Sequence, residues 1–254
     1  MLTPPLKHAA LRFLPAGPLQ AVRRWHYARK LAAAGPEPEI WHFKDLVPAG
    51  STVLDVGANF GLYSKFLAQA VGPTGRVHAV EPVPGTFDVL RSNVRRLNLD
   101  AVQVHYCAAS DRAGTVTMSV PQYHRGGENP YEARVVDAAD SGGRTVKVPA
   151  RRLDDLFGDG ERIAFVKCDV EGHELNVLRG AGTIRLGHRP AWLIEVSGDP
   201  DDRTGTAYEL MRLMVDGGYT AFRMAEERLV ARRPGDRAVN YFFLRPEHVA
   251  LLPV

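Results

Sequence analysis

A strand-like run and a helix-like run, joined by a turn that contains two glycines, constrain the fold of this chain more than any other feature. The stretch covers residues 52–71 and reads TVLDVGANFGLYSKFLAQAV. Its TVLDV part predicts a strand and its LYSKFLAQAV part a helix. The alternation continues with RVHAVEP, TFDVLRSNVRRLNL and VQVHYCAAS. A series of this kind predicts a parallel sheet with right-handed crossovers, and therefore a doubly wound α/β fold.

The second half of the chain resumes this alternation after an irregular middle part. Two predicted strands, GTVTMSV and RTVKVPARRL, flank a long polar segment at residues 121–143. A loop of that length inside a compact domain is usually functional or disordered. RIAFVKCDV and PAWLIEVS then predict strands, each followed by a helical pattern. The chain closes with three more predicted strands, YTAFRM, RLVARR and VNYFFLR, and the last two are expected to pair antiparallel at the sheet edge.

Residues 1–50 are predicted to form a helical extension, and residues 51–254 the α/β domain. Within the extension, PLQAVRRWHYARKLAAAG predicts a basic amphipathic helix whose apolar side carries Leu19, Val22, Trp25 and Leu31. Two interpretations of this helix stay open. It packs its apolar side onto the main domain, or it serves as a lid or as the arm of a homodimer.

Composition bounds the partners and the location of the protein. The formal net charge is only +3, and no dense stripe of Lys and Arg alternates with aromatic residues, so we expect no nucleic-acid partner. No stretch approaches the roughly 20 apolar residues of a membrane span, and the N-terminus lacks a clean signal peptide. We therefore expect a cytoplasmic protein without a membrane partner. The two cysteines, Cys107 and Cys168, are predicted to be buried core residues rather than a disulfide or metal pair.

The turn after the first strand predicts a ligand site, because ligands bind at the carboxyl ends of the strands in doubly wound sheets. The pattern Gly57-x-Asn59-x-Gly61 differs from the G-x-G-x-x-G motif of dinucleotide-binding proteins. Asp55 would repel a pyrophosphate but could meet an ammonium group. Glu81, at the end of the second strand, can accept both ribose hydroxyls, a feature shared with NAD proteins. An ammonium, a ribose and an adenine near residues 107–111 together fit S-adenosylmethionine.

A second polar group of residues follows the fourth long strand, in FVKCDVEGHELNVLRGA. Alternation places Lys167 and Asp169 on one side of that strand, where two charges need either mutual pairing or a cleft. His173 begins the next helix, and the positive end of a helix disfavours an imidazolium. His173 is therefore predicted to be neutral and able to accept a proton near pH 7. The alternatives are a buried Lys167–Asp169 ion pair and simple helix capping by Glu171 and Glu174.

Taken together, these motifs resemble the FkbM family of S-adenosylmethionine-dependent methyltransferases. The similarity covers roughly residues 51–245 and rests on VLDVGANFGLYS, VHAVEP, LRSNVRRLNL, AASDRAG, RRLDDLF, VKCDVEGHELNVLRGA, LIEV and NYFFL. Cys168 stands where the family usually has Ile or Leu. The resemblance implies a class I methyltransferase fold, with a Rossmann-like seven-stranded sheet and an antiparallel last strand. It also implies methyl transfer to a hydroxyl of a natural product or a sugar.

The resemblance further implies which residues lie beside the cofactor, whereas the catalytic and acceptor-binding candidates come from the residues themselves. Those beside the cofactor would be Asp55, Gly57, Asn59, Gly61, Tyr63, Ser64, Glu81, Pro82, Ala108 and Ala109. The catalytic candidates are His173, Asp169, Lys167 and Glu171, with His173 as the preferred base and Asp169 as the residue that orients it or the acceptor. Predicted contacts of the small-molecule acceptor are Tyr123, His124, Arg125 and Glu195. Mg²⁺ bound by Asp169, Glu195 and a neighbour is compatible with the sequence but not required by it.

Three other functions stay open at this point. A nicotinamide-dependent oxidoreductase would share the fold and the ribose-binding carboxylate. A non-catalytic protein would bind the cofactor without turnover, which the charged strand end at residues 167–169 disfavours. An N-methyltransferase acting on protein or RNA is disfavoured by the modest net charge.

Overall fold

Two β-sheets form the framework of the computed structural model, which describes residues 16–121, 133–136 and 144–253. The larger sheet has eight strands and the smaller has four. In chain order the strands are β1 (Thr52–Val56), β2 (Arg76–Val80), β3 (Val102–His105), β4 (Ala108–Ala109), β5 (Gly114–Val120), β6 (Arg134–Val135), β7 (Arg144–Arg151), β8 (Ile163–Cys168), β9 (Ala191–Glu195), β10 (Thr220–Ala225), β11 (Arg228–Ala231) and β12 (Asn240–Leu244).

Helices connect these strands and cover the larger sheet. They are α1 (Ala16–Ala33), α2 (Phe43–Leu46), α3 (Leu62–Val71), α4 (Pro84–Arg96), α5 (Leu153–Phe157), α6 (Glu174–Arg179), α7 (Thr206–Asp216) and α8 (Pro246–Val249), with a 3₁₀ helix at Pro38–His42 and a π-helical turn at Ile184–His188.

The larger sheet has the order β11-β10-β12-β9-β8-β1-β2-β3. Its five strands from β9 to β3 are parallel, as the alternating sequence pattern predicts. β12 runs antiparallel between β9 and β10. The predicted pairing of the last two strands with each other is wrong, because β11 pairs with β10 instead. β12 is interior because four of its five residues are buried, and β11 adds an eighth strand to the expected seven.

The core lies on both faces of this sheet because side chains alternate along each strand. On one face, Leu54 and Val56 of β1 pack in the same cluster as Trp192. On the opposite face, Val53 and Phe165 pack with residues of α3 and of the N-terminal segment. A strand that is buried on both faces has a nearly continuous apolar sequence. A charged residue within such a strand therefore needs a partner.

The predicted third strand, VQVHYCAAS, is divided between the two sheets. β3 ends at His105, whose carbonyl accepts a hydrogen bond from the Glu81 N–H at 3.0 Å. The chain then leaves the larger sheet, and Ala108 and Ala109 pair with β7 in the smaller one. The smaller sheet has the order β4-β7-β5-β6. It places apolar side chains of β5 beside the carboxyl edge of the larger sheet.

Helix α1 packs on the domain with only part of its predicted apolar side. Val22 and Trp25 are 47% and 53% exposed, whereas Leu31 is fully buried. The helix packs against α4, where Arg24 lies 3.7 Å from Asp88. The contact face of the helix therefore contains both Arg24 and Leu31, and long basic side chains can cover apolar surface with their stems. The lid or dimer-arm role of the extension stays a prediction.

The segment after α1 is built into the core. Ile40, Phe43 and Leu46 are buried in the cluster that contains Phe165. The Tyr63 hydroxyl donates a hydrogen bond to Glu37 at 2.7 Å. These contacts anchor residues 37–46 next to the carboxyl edge of the sheet.

Both cysteines are free and buried, as predicted. Within the described ranges, the helices are all too short or too polar to cross a membrane.

Two neighbouring histidines lie on the face of the sheet that α5 covers. His78 Nδ1 and His105 Nε2 are 3.0 Å apart, and the ring of Phe157 stacks on His78 at 4.6 Å between centroids. Burial and the neighbouring His105 lower the pKa of His78 to about 4. Burial also lowers the pKa of His105. Both rings are therefore neutral at pH 7, and one donates its N–H to the other.

We predict that this histidine pair makes the fold sensitive to acid. Because the pKa of His78 is lower in the folded state than its ordinary value of 6.5, the unfolded state binds more protons as the pH falls from 6.5 towards 4. A His78→Gln variant should therefore lose about 1 kcal/mol less unfolding free energy than the wild type between pH 7 and pH 5.5. Urea unfolding at both pH values measures this, and an identical loss in both proteins would contradict it.

Candidate active site

A cleft opens at the carboxyl ends of β1, β2 and β8. Ligands bind at this edge in open α/β sheets. Nine of the residues predicted to form the site line the cleft, namely Gly57, Asn59, Glu81, Pro82, Ala108, Ala109, Asp169, Glu171 and His173. The structure thus brings together the turn after β1, the end of β2 and the turn after β8.

The two glycines of the first turn are required by the protein's own packing. Gly57 has φ +79°, and a Cβ atom there would lie 1.7 Å from the carbonyl oxygen of Asp169. Gly61 has φ +98°, and a Cβ atom there would lie 2.9 Å from Leu90 Cδ1. The first glycine allows the end of β8 to approach the turn, and the second allows α4 to pack on it.

Two backbone hydrogen bonds hold the carboxylate of Glu81 in the wall of the cleft. Its Oε2 accepts the Asn59 backbone N–H at 3.0 Å, and its Oε1 accepts the Val83 N–H at 2.9 Å. Burial raises its pKa to about 7, against the opposing effect of these two hydrogen bonds. A carboxylate has about four acceptor positions, so two remain for a diol such as the 2′,3′-hydroxyls of a ribose.

An apolar wall adjoins Glu81, and sequence reasoning missed most of it. Val83, Met118, Ala133 and Val135 line the cleft there, and the first three pack in one buried cluster. The alternation in GTVTMSV indicates only a strand, and it does not show that this strand faces the ligand edge. A flat aromatic group such as adenine fits between apolar side chains of this kind.

Asp55 does not reach the cleft, contrary to the predicted contact with an ammonium group. Its side chain is fully buried, and its Oδ2 accepts a hydrogen bond from Ser64 Oγ at 2.5 Å. Its Oδ1 has no hydrogen-bond partner among the described residues. Burial raises the pKa of Asp55, while Lys167 and the Ser64 hydrogen bond oppose this. Ser64, Gly61 and Tyr63 also lie outside the cleft wall.

Lys167 forms the buried ion pair that was one of the sequence alternatives. Its Nζ lies 2.7 Å from Asp169 Oδ2 and 4.6 Å from the centroid of the Tyr63 ring. Burial acts to lower the pKa of Lys167, but the charges of Asp169 and Asp55 outweigh it and raise the pKa. Lys167 is only 4% exposed, so it holds Asp169 in place from below the cleft and does not itself face a ligand.

Three carboxylates meet at the end of β8 and β9. Oxygen atoms of Asp169, Glu171 and Glu195 lie within 4.8 Å of one another. The hydrogen bond to Asp169, together with burial, raises the pKa of Glu195 to about 9. Burial opposes ionisation of Asp169, but the charge of Lys167 holds its pKa below the usual range. At neutral pH, therefore, Asp169 is ionised and Glu195 carries the proton that they share.

His173 lies at the end of the turn after β8, directly before α6. Its Nε2 lies 2.9 Å from Ser110 Oγ, and its ring lines the cleft. Burial lowers the pKa of His173, partly offset by the charge of Asp111. The predicted neutral state is thus supported, although burial rather than the helix dipole is its leading cause. Ser110 and Asp111, which were expected to border the adenine, turn towards His173 instead.

Glu174 fixes the turn that carries these groups. Its Oε1 accepts the backbone N–H groups of Val170 at 3.0 Å and Gly172 at 3.1 Å. Between them, Glu171 has φ +55°, a left-handed conformation that is unfavourable for a residue with a Cβ atom. The two hydrogen bonds hold this conformation and direct Glu171 into the cleft. Sequence reasoning considered Glu174 only as a helix cap.

Three predicted acceptor contacts, Tyr123, His124 and Arg125, lie outside the described residues, and their role stays a prediction. Glu195 is half-buried beside Asp169 and does not line the cleft.

We predict that Glu174 is required to hold the turn between β8 and α6. Replacing it by Ala removes the acceptor of two partly buried backbone hydrogen bonds, which should cost about 0.5–1.5 kcal/mol of unfolding free energy for each bond. Glu174→Gln places an amide oxygen where the carboxylate oxygen lies. This variant should therefore lose less than half of that unfolding free energy. Thermal or urea unfolding of both variants measures the difference. Equal stability of Glu174→Ala and wild type would show that the turn does not depend on these bonds.

Comparison with known proteins agrees with this geometry. Residues 55–221 match the model of the methyltransferase FkbM domain. The 31-O-demethyl-FK506 methyltransferase FkbM of Streptomyces tacrolimicus is 30% identical over 204 residues, which is 70% of this chain and 76% of that protein. Methyltransferase 1 of Beauveria bassiana is 26% identical over 148 residues, covering 52% of this chain and 59% of the relative.

A solved structure shows the same fold. The crystal structure of methyltransferase FkbM from Methylobacillus flagellatus superposes with a TM-score of 0.51 at 19% identity, over 88% of this chain and 59% of that one. This chain therefore spans only 59% of the length of the Beauveria bassiana and Methylobacillus flagellatus proteins. With two thirds of its residues matched by the family model, the chain belongs to the FkbM family of S-adenosylmethionine-dependent methyltransferases.

Proposed function

We propose that this protein transfers a methyl group from S-adenosylmethionine to a hydroxyl oxygen of a small molecule, either a natural product or a sugar. The observation that carries the proposal is a neutral, half-buried histidine, His173, in the same cleft as the diol-binding carboxylate Glu81. One end of the cleft suits the nucleoside of the cofactor. The other end offers a proton acceptor, which an alcohol acceptor needs.

The residues of the cleft fit S-adenosylmethionine in three respects. Glu81 has two acceptor positions left for the ribose hydroxyls. The apolar wall around Met118 suits an adenine. Asn59 Oδ1 is buried and has no hydrogen-bond partner among the described residues, so it can accept a donor from the cofactor. When bound, the sulfonium supplies an activated methyl group that needs only an aligned nucleophile.

His173 is better suited than Asp169 to take the proton of the acceptor hydroxyl. Lys167 keeps Asp169 ionised and engaged at 2.7 Å, which lowers its basicity. His173 is neutral at pH 7, because burial lowers the pKa of its imidazole, so one ring nitrogen is free to accept a proton. Asp169 and Glu171 line the cleft next to it and can orient the acceptor through hydrogen bonds.

A relative supports transfer to oxygen rather than nitrogen. The name of the Streptomyces tacrolimicus protein specifies a 31-O-demethyl compound as its substrate, and this chain is 30% identical to it. Because the chain belongs to a methyltransferase family, we no longer consider a nicotinamide-dependent oxidoreductase as an alternative. Methylation of nitrogen in protein or RNA is the remaining alternative, and the net charge of +3 gives no support for an RNA partner. A cytoplasmic location and a homodimer stay predictions.

The carboxylate cluster suggests a second way to activate the acceptor. Asp169, Glu171 and Glu195 offer oxygen ligands of the type that Mg²⁺ prefers, and a bound cation would lower the pKa of an acceptor hydroxyl. Binding of the cation would require Glu195 to release its proton. Loss of turnover in EDTA, with recovery on adding Mg²⁺, would select this route over His173 alone.

The test is methyl transfer from a labelled donor to a panel of hydroxylated natural products and sugars, with the product located by NMR. We expect an O-methyl product. His173→Ala should lower kcat by about 10²- to 10⁴-fold, the usual contribution of a positioned base, and leave the affinity for S-adenosylhomocysteine nearly unchanged. His188→Ala serves as a matched control at a histidine remote from the cleft. An N-methyl product would contradict the proposed reaction, and full activity of His173→Ala would remove His173 from the role.

A further inference from the structure

We infer that Ser110 and Asp111 fix the tautomer of His173, so that Nε2 carries the hydrogen and Nδ1 is the atom that accepts the acceptor's proton. The inference rests on the proposed function and deepens it, because it assigns a positioning role to two residues outside the cleft wall. The three side chains form a continuous chain. Asp111 Oδ1 lies 3.1 Å from Ser110 Oγ, which lies 2.9 Å from His173 Nε2.

Ser110 is held rigidly enough to act as such a link. Its side chain is only 2% exposed, and its backbone N–H donates to the Arg151 carbonyl at 2.9 Å. Its carbonyl oxygen lies against Gly180, where a Cβ atom would be only 2.0 Å away. The segment after β4 is thus locked to the C-terminal end of α6, the helix that His173 precedes. Neither partner can move without disturbing the other.

The direction of each hydrogen bond follows from the charge of Asp111. Burial alone would raise its pKa, but hydrogen bonds from Ser110 and Asn176 outweigh this and lower it, so Asp111 is ionised at neutral pH. An ionised carboxylate only accepts hydrogen bonds. The Ser110 hydroxyl must then donate to Asp111 and present its lone pairs to His173. Nε2 is therefore the N–H of the neutral ring, and the free lone pair lies on Nδ1.

This assignment has a direct consequence for proton transfer. In the opposite tautomer, Nδ1 would carry a hydrogen and could not accept another. With S-adenosylmethionine bound, the acceptor oxygen would take the methyl group, the carbon–sulfur electron pair would stay on sulfur in S-adenosylhomocysteine, and Nδ1 of His173 would take the hydroxyl proton. The imidazolium so formed keeps its Nε2–H bond to Ser110, and the charge of Asp111 favours it. The second ring nitrogen commonly sets the tautomer of a functional histidine in this way.

The tautomer can be measured without any methyl acceptor. In ¹⁵N-labelled protein at pH 7.5, long-range ¹H–¹⁵N correlation spectra distinguish a protonated Nε2 from a protonated Nδ1. Comparison with His173→Gln identifies the signals of His173 among the nine histidines. We expect the Nε2–H form alone in the wild type and a mixture of both forms in Ser110→Ala. Ser92→Ala, at another buried serine in α4, should leave the spectrum of His173 unchanged.

Kinetics supply the second readout. Ser110→Ala should lower kcat by about three- to tenfold, the effect of one hydrogen bond, with KM nearly unchanged, and Ser110→Thr should restore most of the loss because it keeps the hydroxyl. A wild-type spectrum with Nδ1–H, or an unaltered tautomer in Ser110→Ala, would overturn this inference alone. Full activity in His173→Ala would overturn the proposed base itself, so the two failures are distinguishable.

Discussion

The contact between Gly57 and the backbone of Asp169 is the constraint on which the rest of the site depends. Only a hydrogen atom fits on Gly57, since a Cβ atom would lie 1.7 Å from the Asp169 carbonyl oxygen. The Asp169 N–H also donates to the Val56 carbonyl at 3.0 Å. These contacts join the ends of β1 and β8. The turn that leads to Asn59 and the turn that carries Glu171 and His173 therefore form one continuous cleft.

Burial then sets the protonation state of each group around that cleft. It raises the pKa of Glu81 and lowers that of His173, whereas the ammonium of Lys167 keeps Asp169 ionised. The result is a site with one buried ion pair, one neutral imidazole and one carboxyl group, that of Glu81, whose pKa is about 7. A cation bound nearby would favour the charged forms of these carboxylates.

Sequence patterns predicted the parts of the fold that local periodicity controls. The alternation of strands and helices gave the parallel strands, and strand-end positions gave Glu81 and His173 in one cleft. Position alone could not show that Asp55 points into the core, because a strand-end residue faces the cleft or the core according to the packing of α3. Likewise, the sequence does not show that α1 contacts the domain through Arg24 and Leu31 while Trp25 stays exposed.

The features that sequence reasoning missed are those that arise between distant segments. Met118 and Val135 reach the cleft only because a second sheet folds against the first. The role of Ser110 depends on its approach to Gly180, 70 residues later in the chain. β12 lies between β9 and β10 because its side chains are buried on both faces, which its sequence indicates only when the whole sheet is considered.

The central claim is that the cleft binds S-adenosylmethionine through the ionised carboxylate of Glu81. Calorimetric titration with S-adenosylhomocysteine at pH 8 and pH 6 tests it most directly. Because the pKa of Glu81 is about 7, the wild-type Kd should rise about tenfold from pH 8 to pH 6, while Glu81→Gln should bind weakly and equally at both. Absence of heat with this compound while NAD binds tightly would contradict the account, and so would a pH-independent Kd that Glu81→Gln does not alter.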